Sequence, residues 1–266
     1  MKELCDAFKK QKIEYFSVLS FSEVKCVNQR LLNRMDFEPL SVILFLVPYY
    51  SGETVNVSRY AASLDYHIVI KGITDGVISD LAKTYPENHF CGFGDHSPIN
   101  ENHAALICGL GIAGDNGLLI NEKYGSYVFI GDILTDIPPE ELGAINPAPI
   151  FACSHCGACR RACPTGILRG ESGDCLSAIT QRKGELSEQE VALMRDNNTV
   201  WGCDLCQTAC PYNRTAAKTP LDVFYENRIE KLTKDMLDAM SDEEFKRRAF
   251  SWRGRGVLER NLNKLE

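Results

Sequence analysis

The chain has 266 residues, 44% hydrophobic and 24% charged, with a net charge of −7. That length allows one large domain or two smaller ones, each with a core, and the acidic balance argues against holding nucleic acid by bulk charge. No stretch of about 18 apolar residues exists, so no spanning helix and no membrane partner are expected; the charged N-terminus lacks the apolar heart of an export signal, which predicts a cytoplasmic protein.

In chain order, residues 1–38 are mixed and charged, with helical character over 4–12. Residues 41–47 form a short apolar run stopped by Pro48 and read as a buried strand. Residues 57–85, a long polar–apolar mixture before Pro86, are expected to be mostly helix, broken near Gly72 and Gly76. Residues 89–93 read as a strand running into the loop Gly94-Asp95-His96-Ser97-Pro98, and 102–108 as a short helix. The glycine-rich stretch 109–117 leads into an extended-looking 118–120 rather than a long helix, so it fails the context test of a nicotinamide site. Residues 127–130 and 133–134 supply another apolar strand. Pro138, Pro139, Pro147 and Pro149 mark a linker and place a domain boundary near residue 145. Residues 187–196 are helix-like. Leu232, Met236, Met240 and Phe245 recur at helical intervals, which predicts two or three helices packed on the body.

The stretch that organises the chain is Cys153-Ser-His-Cys156-Gly-Ala-Cys159-Arg-Arg-Ala-Cys163-Pro164. Its spacing, C-x2-C-x2-C-x3-C-P, is the bacterial ferredoxin run for iron–sulfur clusters. A second run follows, Cys203-Asp-Leu-Cys206-Gln-Thr-Ala-Cys210-Pro211. Zinc knuckles would pair two short C-x2-4-C units across a spacer and do not need four cysteines in a row closed by proline. Two [4Fe–4S] clusters explain the pattern better, with four thiolates each. In the two-cluster pattern the cysteine before proline ligates the other cluster. Cys153, Cys156 and Cys159 then take Cys210, while Cys203 and Cys206 take Cys163. Cys175, lying between the runs, is the best candidate for the remaining ligand. The clustering and the missing signal point to a reducing compartment rather than to disulfides. Cys5, Cys26, Cys91 and Cys108 have no partner spacing and are expected as small buried hydrophobes. His155 is expected beside a cluster, Arg160 and Arg161 either against cluster charge or on a solvated face, and His67 and His96 as structural histidines.

Four stretches carry a resemblance to the epoxyqueuosine reductase family, cobalamin-dependent iron–sulfur enzymes that act on a modified tRNA base. Ser58-Arg-Tyr-Ala61 with Asp65-Tyr-His67 resembles that family's S-R-Y-A-x-x-x-D-Y-H. Asp95-His-Ser-Pro98 resembles its D-[ST]-[GA]-P loop. Gly109-Leu-Gly111, Asn116 and the segment 124–135 resemble its G-L-G-W-x-G-K-N … Y-G-S-W-V-F-L-G-E-I-L-T. The cysteine runs match, with Cys175-Leu-Ser177 against C-I-S, and residues 230–262 resemble the stretch that leads into a helical-repeat tail. Asp115 stands where the family has lysine, Ile112 where it has an aromatic residue, and Asn102 near its usual arginine.

The resemblance implies an α+β fold class: an α/β cobalamin-binding and catalytic domain over 1–145, a mostly helical ferredoxin-like two-cluster domain over 146–218, and C-terminal helices over 219–266 packed on the body. It implies reduction of epoxyqueuosine to queuosine in tRNA, or a related reduction of another substrate. Asp95 matches the family's proposed proton donor, although Gly-Asp-x-Ser-Pro is also good turn chemistry. Leu119 and Ile130 would pack on the corrin of a base-off cobalamin, with ordinary strand core as the alternative, and Ser177 would sit near its cluster-facing edge. Further expectations are an external electron donor such as a flavodoxin or ferredoxin, a monomer, and a short form without the helical-repeat domain. The short form and the acidic charge together predict weak binding of the tRNA partner. The rival readings are a ferredoxin-like electron-transfer protein with no substrate of its own and a reductive dehalogenase-like enzyme. The absent export signal argues against the latter.

Overall fold

The structure, a computed structural model, describes residues 2–265. It divides into two units: the chain up to Pro48 with His67–Ser154, and Tyr49–Tyr66 with the chain from His155 onward. The elements before the cysteine runs are α1 (Lys2–Lys10), β1 (Phe16–Ser20), the single turn α2 (Gln29–Leu32), β2 (Ser41–Pro48), α3 (Tyr66–Thr84), β3 (Phe90–Gly94), α4 (Glu101–Ile107), the short β4 (Ile112–Ala113) and β5 (Leu119–Ile120), and β6 (Val128–Thr135).

In the first unit β2 is buried at every position, as its unbroken apolar run requires. It sits inside a sheet of order β1-β2-β6-β3 in which every pair is antiparallel. The mixed helix-and-sheet class therefore holds, on an antiparallel sheet. Pleating sends alternate side chains to opposite faces. Val42, Leu44 and Leu46 join Leu19, Leu134 and the apolar side of α4 in one core. Phe45 points the other way, against Phe8 of α1, with ring centroids 5.3 Å apart.

Three glycines make the second face possible. Gly131 pairs with Phe45 across the sheet, and a Cβ there would lie 2.4 Å from the phenylalanine ring. On β3, a Cβ at Gly92 would lie 1.9 Å from Thr74, and one at Gly94 would lie 2.5 Å from Ile70. Helix α3 can therefore lie close on the strand only because those side chains are missing.

Helix α3 runs unbroken through Gly72 and Gly76. The expected breaks do not occur because Val69, Ile70, Ile73, Val77 and Leu81 are buried along it, which outweighs the ~1 kcal/mol helix penalty of each glycine. The helix starts at Tyr66; residues 57–65 hold only a 3-10 turn at Arg59–Ala61 and belong to the second unit. Strand β1 has no counterpart in the sequence reading, because Phe16–Ser20 lacks the length and flanking turns that marked β2. Of the four unassigned cysteines only Cys108 is buried; Cys91 is half-buried, and Cys5 and Cys26 are exposed, contrary to expectation. Cys5 lies on α1, whose inward positions are Leu4, Ala7 and Phe8.

The second unit holds α5 (Ala158–Ala162), α6 (Leu176–Gln181), α7 (Glu188–Asp196), α8 (Leu205–Thr208), α9 (Lys234–Ala239), α10 (Asp242–Lys246) and α11 (Arg255–Leu265). Helices α7 and α10 each open on a full capping box, Ser187 with Glu190 and Ser241 with Glu244. Trp201 is fully buried among Phe245, Phe250 and Leu258, and its Nε1 donates to the Tyr60 hydroxyl at 2.9 Å. Asn56 donates to the Leu232 carbonyl and accepts its N–H, both at 2.8 Å. Asn261 donates to the carbonyls of Thr180 and Val200. Buried amides thus tie segment 49–66 and the C-terminal helices to the cysteine region. No helix among the described residues is long and apolar enough to cross a membrane.

The Phe45–Gly131 contact makes a direct prediction. Gly131→Ala should destabilise the protein by about 1–3 kcal/mol, the usual cost of overpacking a filled core. Phe45→Leu in the same chain should recover part of that loss. Denaturant melts of the two single variants and the double variant measure the coupling.

Candidate functional site

Helix α5 packs against α8 and so brings the two cysteine runs together. Cys159, Cys163 and Cys210 are buried, Cys153, Cys203 and Cys206 are half-buried, Cys156 and Cys175 are exposed, and none is in a disulfide. The Cys203 thiol is pushed up to about 12, first by burial and then by the facing Cys175 and Cys206 thiols, against a lowering hydrogen bond from the Leu205 backbone. Cys175, picked from its place between the runs, thus faces the ligand pair it was assigned to. Burial also raises the Cys163 thiol, but hydrogen bonds from the Leu168, Thr165 and Gly166 backbone and the Thr165 hydroxyl outweigh it and leave the thiol lowered. These are the donors that stabilise a thiolate. Soft thiolates backed by N–H groups fit an iron–sulfur centre.

Between Cys203 and Cys206 lies Asp204, nearly buried and paired with the nearly buried Arg59 at 3.1 Å. Its carboxylate also accepts the Arg59 backbone N–H at 2.7 Å and the Ser58 hydroxyl. Arg59 further bonds Glu53 and, at 3.1 Å, the Thr208 hydroxyl. The S-R-Y-A motif is therefore a brace for the second cysteine run.

Ser177 lies on α6 and accepts a hydrogen bond from Gln181 Nε2 at 2.9 Å. It lines an open cavity of about 510 Å³ together with Cys175, Gln181, Arg182, Lys183 and Arg253. Leu119 is 3% exposed and buried in the core under α4, while Ile130 is half-buried at the margin of that core.

Asp95 and His96 follow β3, and both have left-handed backbones, at φ +60° and +57°. Each such non-glycine residue costs about 1–3 kcal/mol, so the surrounding structure must hold the turn in place. His67 Nε2 faces Asp95 Oδ2 at 3.8 Å, with both side chains about half exposed. His67 is thus a partner of the loop acid rather than a structural histidine.

Behind the loop lies a carboxyl pair that sequence reasoning missed. Asp132, on β6, is fully buried between Leu44 and Phe93 of the neighbouring strands. Its Oδ1 accepts the Ser97 hydroxyl at 3.1 Å, and Ser97 in turn accepts the Ile99 N–H at 3.3 Å. Glu101, in the first turn of α4, hydrogen-bonds Asp132. Burial, then the Glu101 charge, raises Asp132 well above the usual carboxylate range. Burial raises Glu101 to about 7, and the charge of Asp95 adds to that rise. The signal was available: in a strand of period two, Ile130, Asp132 and Leu134 share a face, so an acid stood among core positions.

The paired runs and their thiol-lined setting define a double-cluster iron–sulfur protein. The family model for a 4Fe-4S double cluster binding domain matches residues 152–213. An epoxyqueuosine reductase of Leadbetterella byssophila is 32% identical over 211 residues, covering 76% of this chain and 68% of the relative. One of Staphylococcus aureus is 31% identical over 212 residues, covering 77% of this chain and 54% of the relative. The chain thus belongs to the epoxyqueuosine reductase family, and its match spans about half the length of the S. aureus member. A solved epoxyqueuosine reductase with a tRNA-Tyr epoxyqueuosine-modified stem loop shares the fold, at TM-score 0.80 and 24% identity, over 99% of this chain and 80% of that one.

The carboxyl pair sets a pH dependence of stability. Both acids titrate higher folded than unfolded, so their contribution is fully present below about pH 4, the unfolded carboxyl range, and is lost as pH rises through their raised folded values, about 7 for Glu101. Asp132→Asn should flatten the dependence of the melting midpoint between about pH 5 and 8. It should also raise the midpoint relative to the parent at the alkaline end. Thermal melts across that range check both.

Proposed function

We propose that this chain is a cobalamin-dependent iron–sulfur reductase that removes the epoxide oxygen of epoxyqueuosine in tRNA. The observation that carries the reading is the combination of the seven thiols of the two runs and Cys175 between them with a loop acid, Asp95, on the α+β unit. Membership of the epoxyqueuosine reductase family supports the substrate class. The first unit carries Asp95 and the catalytic role, and the second carries all the cluster thiols except Cys153.

Loss of an epoxide oxygen as water takes two electrons and two protons. Cys153, Cys156, Cys159 and Cys210, and Cys203, Cys206, Cys175 and Cys163, would hold two [4Fe–4S] clusters, whose chemistry would be to supply single electrons drawn from an external flavodoxin or ferredoxin. A base-off cobalamin, when bound, would supply the low-valent cobalt chemistry of the reduction. Family resemblance assigns Leu119, Ile130 and Ser177 to the corrin; within the second unit, Arg182, Lys183, Arg253 and Gln181 around Ser177 are hydrogen-bond donors of the kind its polar edge would need. Asp95 holds the proton that goes to the departing oxygen, and His67, 3.8 Å away, is placed to return one to its carboxylate.

Asp95→Asn keeps the size of the side chain but cannot give up a proton in the same way. The variant should keep clusters and cobalamin and lose turnover by roughly 10²-fold or more, the scale of general acid catalysis. Near-normal turnover would return Asp95 to a turn residue. Anaerobic protein should hold about eight irons per chain. Cys210→Ala should damage the cluster of Cys153, Cys156 and Cys159 and spare the other; loss of only the Cys203 and Cys206 cluster would overturn the crossed assignment. With a net charge of −7, tRNA should bind weakly at physiological salt and with a shallow salt dependence, which filter binding across a salt series measures.

A further inference from the structure

The left-handed turn at Asp95 and His96 needs something to hold it, and the carboxyl pair behind it is placed to do so. One Glu101 carboxylate oxygen accepts the Asp95 backbone N–H. Asp132 Oδ2 and Glu101 Oε1 are both buried and meet no hydrogen-bond donor of the protein, although the two carboxyls hydrogen-bond each other. Two facing acceptor oxygens bond only when a proton lies between them. Ser97 fixes Asp132 from the loop side, and the Asn100 cap of α4 fixes the helix turn that carries Glu101.

We propose that Glu101 is a positioning residue for Asp95: bridged to Asp132 by one shared proton, it holds the Asp95 amide and so fixes the turn that aims the loop acid. This rests on Asp95 being the acid of the proposed reduction. The groups facing the pair leave that proton little competition. Asp95 presents negative charge to Glu101. Cys91 on β3 is raised first by burial and then by the charges of Asp132 and Asp36. On the far side of Asp95 stands His67. When the shared proton leaves, two buried anions face each other, a costly state. Glu101, the less buried partner, then turns to water and releases the amide. The loop acid is thus held in place below the pH at which the pair becomes doubly charged and set free above it.

The test needs no substrate and no turnover, so it stands or falls apart from the proposed activity. Hydrogen exchange over residues 92–98 is followed in the anaerobically purified full chain at pH 6 and at pH 8.5, corrected for the intrinsic pH dependence of amide exchange. The parent should lose protection by about tenfold between the two, and Glu101→Gln, which still accepts the amide but no longer ionises, should stay protected at both. Asp132→Asn is the second variant. The infrared band of a protonated buried carboxylic acid, present in the parent at pH 7, should be missing from it, and its exchange should also lose the pH step. Protection in the parent that does not change with pH overturns the proposal, as does persistence of the carboxylic acid band in Asp132→Asn. An infrared spectrum without that band in the parent at pH 7 does the same.

Discussion

The carboxylate of Asp204 is the point on which the second unit depends. It lies between two cysteines assigned to one cluster, nearly out of water, and receives a guanidinium, a backbone N–H and a hydroxyl from Ser58 and Arg59. A buried ion pair is worth little against a well-packed apolar substitute, but removing one partner strands a charge at a cost of about 3–5 kcal/mol. The pair therefore makes the path of segment 49–66 and the path of the second cysteine run one decision. Trp201, with its indole N–H on Tyr60, and Asn56, paired with Leu232, extend the same tie on either side. Thiols that must converge on a metal centre are thus braced by polar contacts among the protein's own groups.

The first unit solves a different problem. A strand buried on both faces needs partners above and below, and β2 obtains them by giving Val42, Leu44 and Leu46 to one core and Phe45 to the other. The glycines at 92, 94 and 131 are the cost of that arrangement, since each removes a side chain where an opposing group already fills the space. Into the first core the chain introduces an acid, Asp132, which local apolar packing alone would not select. Such a departure from consistency is where function is to be sought.

What could be read from the sequence divides along the range of the interactions involved. The cluster ligands were legible because metal coordination fixes their spacing within a few residues, and facing thiols now set Cys175 beside Cys203. Strand β2 was legible because six apolar residues in a row, Val42 to Val47, leave few other fates. Residues 57–65 were misread as helix because what holds them is Asp204, 145 residues away from Arg59, and no local pattern reports such a partner. The breaks assigned to Gly72 and Gly76 failed for the same reason: propensity is local, and the burial of one helix face is not. Cys5 and Cys26 were expected inside because they lack partner spacing, whereas both are exposed, Cys5 on the outward side of α1. In the loop, Asp95 could be found by resemblance, but its neighbours His67, Glu101 and Asp132 come from three different elements.

The excursion of the chain at residues 49–66 changes what a domain means here. The chain leaves the first unit after Pro48, gives the second unit a segment, and returns at His67 before entering the second unit again at His155. A gene fragment that begins in the proline-rich stretch near residue 145 would carry the seven paired-run thiols and Cys175 yet lack Asn56, Ser58, Arg59 and Tyr60. Its Trp201 indole N–H and Asp204 carboxylate would lose the partners that Tyr60, Ser58 and Arg59 supply. The second unit is therefore not a segment that a single cut of the chain can lift out whole.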